Sequence, residues 1–89
     1  MSNLKSPNFN ITLYTTKGSL TIYFDKDGGV SMAKNYATRI ANALKHKVTD
    51  IVIKYQSGDT EYPIAYKKGD NWDSHPDYDM WIKKFHLQK

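Results

Sequence analysis

The densest set of side chains able to do chemistry is Asp70-Asn71-Trp72-Asp73-Ser74-His75-Pro76-Asp77-Tyr78-Asp79, where four carboxylates and one imidazole fall within ten residues. If they converged, Asp73, His75, Asp77 and Asp79 would suit a hard or borderline cation. The spacing does not fit a helix-loop-helix calcium loop, which needs a glycine at its sixth position and a glutamate at its twelfth. Asp73, Ser74 and Asp77 read more simply as loop and helix-capping groups, with Ser74 as the cap, so no metal site and no cofactor are expected.

Nucleophilic catalysis finds no better footing. The chain has no cysteine, and none of Ser2, Ser6, Ser19, Ser31, Ser57 and Ser74 lies in a Gly-x-Ser-x-Gly turn beside a strand. Gly28-Gly29 is the only glycine pair and lacks both phosphate-loop and dinucleotide spacing. Both glycines are read as turn residues that take positive φ. No catalytic set emerges, and the reading is of a protein that binds rather than one that turns over a substrate.

Charge carries more information. Thirteen Lys and Arg against nine Asp and Glu give a net +4. Residues 1–58 hold eight basic groups and three acids, net +5, whereas residues 59–89 hold five and six, net −1. The segment 32–47 carries Lys34, Arg39, Lys45, His46 and Lys47 without one acid. On a helix, Lys34, Asn35, Thr38, Arg39, Asn42 and Lys45 share the face opposite an alanine stripe. Such a face suits an acidic protein surface or the phosphates of DNA or RNA. A single arginine among the thirteen cations disfavours base-specific readout, where Arg is the usual guanine reader.

Aromatic residues are the second signal: seven Tyr, three Phe and two Trp, 13% of the chain. Tyr55, Tyr62 and Tyr66 fall on faces assigned to the core. Tyr14 and Tyr23 fall on the other face of the first hairpin, diagonal to one another, where they either anchor a partner or lie beneath the C-terminal helix. Trp72 is either a lid on the core or an exposed anchor. The candidate partner-binding residues are therefore Lys34, Arg39, Lys45, Tyr14, Tyr23 and Trp72.

These residues need elements to position them. Phe9–Thr16 and Leu20–Asp25 alternate apolar and polar residues, a hairpin pattern with Lys17-Gly18 at the turn. Asp25-Lys26-Asp27-Gly28-Gly29 is a turn cluster, after which Ser31 caps a helix over 32–47 with Ala33, Ala37, Ile40, Ala41, Leu44 and Val48 on its apolar stripe. Thr49–Tyr55 and Glu61–Lys67 form a second hairpin around Gly58-Asp59, pairing Tyr55 with Tyr62, Ile53 with Ile64 and Ile51 with Tyr66. Pro63 places the fourth strand at an edge. Tyr78, Trp81, Ile82 and Phe85 recur at helical spacing, which predicts a terminal helix in preference to a fifth strand over 81–87.

The sum is one small α+β domain over 9–89, ordered β-β-α-β-β-α, with a four-stranded antiparallel sheet, a central helix on one face and a C-terminal helix. Residues 1–8 are polar and expected to be flexible. No apolar run is long enough to span a bilayer and no secretion signal is read, so a cytoplasmic place is expected. In size and make-up the chain is similar to accessory proteins of phages and mobile elements that block a host enzyme, an analogy of type and not of motif. The functional expectation is a non-enzymatic binder that inhibits or modulates a host or cognate protein with an acidic surface, with nucleic-acid binding as the alternative. The oligomeric state is left open.

Overall fold

In a computed structural model, residues 8–89 are described; the segment expected to be flexible lies outside them except for Asn8, which already opens the first strand. The elements are β1 (Asn8–Thr15), β2 (Gly18–Asp25), a 3-10 turn (Lys26–Gly28), α1 (Gly29–Ala43), β3 (Val48–Ser57), β4 (Thr60–Lys68), β5 (Asn71–Ser74) and α2 (Tyr78–Phe85). The sheet has five strands in the order β2-β1-β3-β4-β5, all pairs antiparallel, so the chain runs β-β-α-β-β-β-α. The four-stranded expectation is corrected by β5, whose four residues contain one apolar side chain, Trp72, too few for an alternation to register.

Phe9, Ile11 and Leu13 of β1, Ile51, Ile53 and Tyr55 of β3, and Ile64 and Ala65 of β4 supply the buried apolar residues of the sheet. Val30, Ala33 and Ala37 of α1 and Ile82 of α2 close over them. Both helices lie on that one face. Phe85 packs 4.7 Å from the Tyr55 ring and 4.8 Å from the Tyr62 ring, and Trp81 meets Tyr62 edge-on at 5.4 Å. The covering of Tyr14 and Tyr23 by the terminal helix is thereby excluded. The molecule is a two-layer slab of 34 × 34 × 19 Å.

Four local details differ from the sequence expectation, each for a physical reason. The first hairpin turns at Thr16-Lys17, where Thr15 Oγ1 accepts from the Lys17 N–H (3.1 Å) and donates to the Gly18 carbonyl (2.9 Å). Partners slide by two residues, so Ile11 faces Ile22 and Phe9 faces Phe24, yet every residue keeps its face because strand alternation has period two. In the second hairpin Tyr55 does face Tyr62, but a bulge at Ile64 sets Ala65 opposite Ile53 and Lys67 opposite Ile51. Tyr66 consequently leaves the core and is 40% exposed on the outer face. β5 flanks β4 only over Ala65–Lys68, so Pro63 stays outside that ladder, where its missing N–H is harmless.

The third difference is at both ends of α1. Ser31 is an exposed residue inside the helix, not its cap. The first turn is closed by the C-terminus instead. His86 turns into the left-handed region (φ 55) and the Leu87 N–H reaches the Ile82 carbonyl (2.9 Å), burying Leu87. That turn places the Gln88 carbonyl 2.9 Å from the Val30 nitrogen, where it accepts the N–H. Gly29 has φ 87 beside Gln88, while Gly28 has ordinary helical φ and is required for space, since a Cβ there would sit 2.6 Å from the Phe24 ring. At the other end α1 stops at Ala43, not near Lys47, because Val48 pairs with Thr15 in the sheet and Thr16 N–H reaches the Lys47 carbonyl (3.3 Å).

The fourth concerns α2, which starts at Tyr78. Ser74 ends β5 and caps nothing; His75 Nδ1 accepts the Asp77 N–H instead at 3.0 Å.

Ala37 is fully buried, so Ala37→Leu should overpack the α1–sheet contact and lower unfolding free energy by about 1–3 kcal/mol. Ala43→Leu, at an exposed position, should stay within about 0.5 kcal/mol of wild type. Urea denaturation followed by far-UV circular dichroism checks both.

Candidate partner-binding surface

With the alanine side of α1 buried, its polar side faces outward. Asn35, Arg39 and Asn42 are exposed, as are Lys45, His46 and Lys47 in the connection to β3. Lys34 is half-buried because it leans toward β5, with Nζ 5.5 Å from the centre of the Trp72 ring. Lys67 brings a second ammonium to the same ring at 5.9 Å. Both distances lie within cation–π range, about 6 Å. Trp72 is thus a half-buried ring that packs against the edge of the core and lies beneath two cations, not a free anchor.

Lys67 also lines a cleft of about 480 Å³ between the carboxyl end of α1 and the strands β3 and β4. Lys45, His46 and Lys47 enter it from the α1–β3 connection, and Asp50 and Asp70 enter it from the sheet side. The basic surface therefore runs from Lys34 across Trp72 and Lys67 to Lys45 and Lys47, with Arg39 exposed on the same helix. Among the described residues, no carboxylate lies within 4.0 Å of any of these five cations; the lysine ion pairs are Lys26–Asp27, Lys54–Glu61 and Lys89–Asp79.

The structure brings Lys34 and Trp72 together and places Lys45 in a cleft with Lys67, which also reaches Trp72, but separates them all from the tyrosines. Tyr14 and Tyr23 are 42% and 63% exposed on the opposite face of the sheet. They are not diagonal neighbours either: Tyr14 faces Ser19 and Tyr23 faces Asn10, four positions apart along β1. The pair Thr12 and Thr21 lies between them. Tyr66 belongs to this second surface, opposite Val52. Sequence reasoning missed Lys67 as a member of the basic surface. Without the bulge at Ile64, alternation puts residue 67 on the outer face.

The acidic stretch is dispersed. His75 stacks on Trp81 (4.4 Å between ring centres), Asp79 pairs with Lys89 at 3.9 Å, and Asp73 lies in β5 opposite Tyr66. Among the described residues no three His, Asp or Glu side chains form a group able to hold a metal ion. Burial, with the Asp79 charge behind it, pushes the Tyr78 phenol above its ordinary value of 10.0. The outer face holds one buried polar cluster: the Asn10 amide donates to Gln56 Oε1 and to Glu61 Oε2 (2.9 Å), while Asn10 Oδ1 is buried without a partner.

Among the described residues no helix is long and apolar enough to cross a membrane. Comparison with known proteins finds no matching family model, no similar curated sequence and no similar solved structure.

The Trp72 arrangement makes a quantitative prediction. A double-mutant cycle between Trp72→Leu and Lys34→Met should give a coupling of about 0.5–1 kcal/mol in urea unfolding. The same cycle with Arg39→Met, whose side chain is not paired with that ring, should give a coupling near zero.

Proposed function

We propose that this chain is a non-enzymatic binding protein that docks on an acidic surface of a larger protein and thereby inhibits or modulates it. The contact surface is Lys34 and Lys67 at Trp72, Lys45 and Lys47 across the adjoining cleft from Lys67, and Arg39 on the exposed side of α1. The observation that carries this reading is the unpaired state of all five cations on the helix-bearing face. Folding gains no salt-bridge stabilisation from them, and their mutual repulsion opposes it, so an anionic partner is the counterpart that their placement suits.

Three features favour a protein over a nucleic acid. The exposed tyrosines that could stack bases lie on the opposite face of the sheet from the cations, whereas single-strand binders interleave the two. Asp50 and Asp70 line the basic cleft, which suits a partner of mixed charge better than a uniform polyanion. Half-buried Trp72 holds Lys34 and Lys67 over its ring, and this mix of aromatic and basic groups is enriched at protein interfaces.

Tagged protein should capture one stoichiometric protein partner from the organism that encodes it, in a complex resistant to nuclease. The triple variant Lys34→Glu/Arg39→Glu/Lys45→Glu should bind that partner at least about tenfold more weakly, equivalent to about 1.4 kcal/mol, with its circular dichroism unchanged. Unimpaired binding by the triple variant contradicts the reading. So does a shift of duplex DNA, single-stranded DNA or RNA that decays steeply between about 50 and 200 mM salt.

A further inference from the structure

We propose that two copies of this chain pair edge to edge along β2, forming one continuous ten-stranded antiparallel sheet. β2 is an end strand of the sheet and pairs with β1 alone over all eight of its residues. An end strand directs the backbone N–H and C=O groups of alternate residues away from its neighbour, and folded proteins ordinarily blunt such an edge with Lys, Pro, a bulge or shortness. The opposite edge is blunted in this way: β5 has four residues, the stretch of β4 beyond it carries Pro63, and the His75 N–H occupies the Ile64 carbonyl at 3.1 Å. β2 has none of these devices. Its sequence Gly-Ser-Leu-Thr-Ile-Tyr-Phe-Asp contains no proline and no lysine, its one charge is terminal, and its ladder with β1 runs without a register shift.

The side chains of β2 match a second copy of themselves. Leu20 is 39% exposed on the helix-bearing side and Tyr23 is 63% exposed on the other, so a neighbouring strand would cover apolar surface on both faces. A two-fold axis through Thr21 sets Leu20 opposite Ile22 and Ser19 opposite Tyr23 of the partner copy. Every residue then meets one from its own face, as the pleat requires. The same register brings exposed Lys17 of each copy beside Asp25 of the other, two complementary charge pairs at the ends of the joint. The axis is perpendicular to the sheet, so all four helices and both basic surfaces lie on one side. Of the basic surface, Lys45 alone borders the joint, where it shares a pocket with Lys17, Ser19 and Leu20.

Sedimentation velocity across a concentration series up to about 0.5 mM reads the outcome, because the dimer population follows mass action. The expected result is a species of twice 10.3 kDa that grows with concentration and is reduced at least tenfold in population by Leu20→Lys or by Tyr23→Lys, each at an exposed side chain. Amide hydrogen exchange on the wild-type protein provides a second readout that needs no variant. Alternate amides of β2 should gain protection as concentration rises, while those of β5 should not. A wild-type protein that stays monomeric throughout overturns the proposal, as does a dimer that both lysine variants leave intact with β2 protection independent of concentration.

Discussion

Ala33 and Ala37 touch the sheet with side chains of a single methyl group, and both are wholly buried. A helix that presents only methyl groups at its contact approaches the strands closely, and the rotation of the helix about its axis is fixed by which residues are small enough to lie there. Val30 extends the contact toward the start of α1, and half-buried Ile40 and Ala41 extend it toward the end. Once that stripe is buried, Asn35, Arg39 and Asn42 have nowhere to go but outward. The cations gather on one side of the molecule as a consequence of packing, not of attraction to anything within the fold.

The second consequence is asymmetry. Both helices are used on one face of a five-stranded sheet, leaving the other to threonines, tyrosines and charged residues. Burial on that outer face is polar: Asn10 and Gln56 are buried and, with exposed Glu61, share hydrogen bonds across β1, β3 and β4. The C-terminal tail couples the two helices. A left-handed residue after α2 sends Leu87 into the core and the Gln88 carbonyl onto the first turn of α1. That main-chain contact does what a capping side chain does elsewhere, and it explains why α1 tolerates Gly28 in the capping position with no side-chain hydrogen bond.

Much of this was legible in the sequence, and the omissions have specific causes. The hairpin faces, the buried stripe of α1 and the apolar side of α2 follow from periodicity, which survives a two-residue slip in register. The turn at Thr16-Lys17, the bulge at Ile64 and the brief strand around Trp72 depend on single residues, whose signal alternation averages away. Ser31 and Ser74 have the right chemistry for caps, but a tertiary contact from the Gln88 carbonyl and a local one from His75 Nδ1 supply those hydrogen bonds instead. For the candidate surface, Lys34, Arg39, Lys45 and Trp72 follow from composition and helical spacing. Lys67 does not, because its orientation is set by the bulge three residues before it. Tyr14 and Tyr23 stay uncovered because α2 chooses the same face as α1, a choice that its own stripe of Tyr78, Trp81, Ile82 and Phe85 does not encode.

The central claim is that the cations of the helix-bearing face stand together without carboxylate partners. Screening reads this directly, because added salt weakens whichever electrostatic term dominates, with a Debye length falling from about 30 Å at 0.01 M to about 8 Å at 0.15 M. The measurement is the urea midpoint of the protein between about 10 and 150 mM KCl at neutral pH. The account predicts that the midpoint rises with salt as repulsion among Lys34, Arg39, Lys45, Lys47 and Lys67 is relieved, and that the rise disappears when these cations are replaced by glutamine. A midpoint that falls with salt in the wild-type protein would mean that the cations are held by attractive pairs, and would contradict the account.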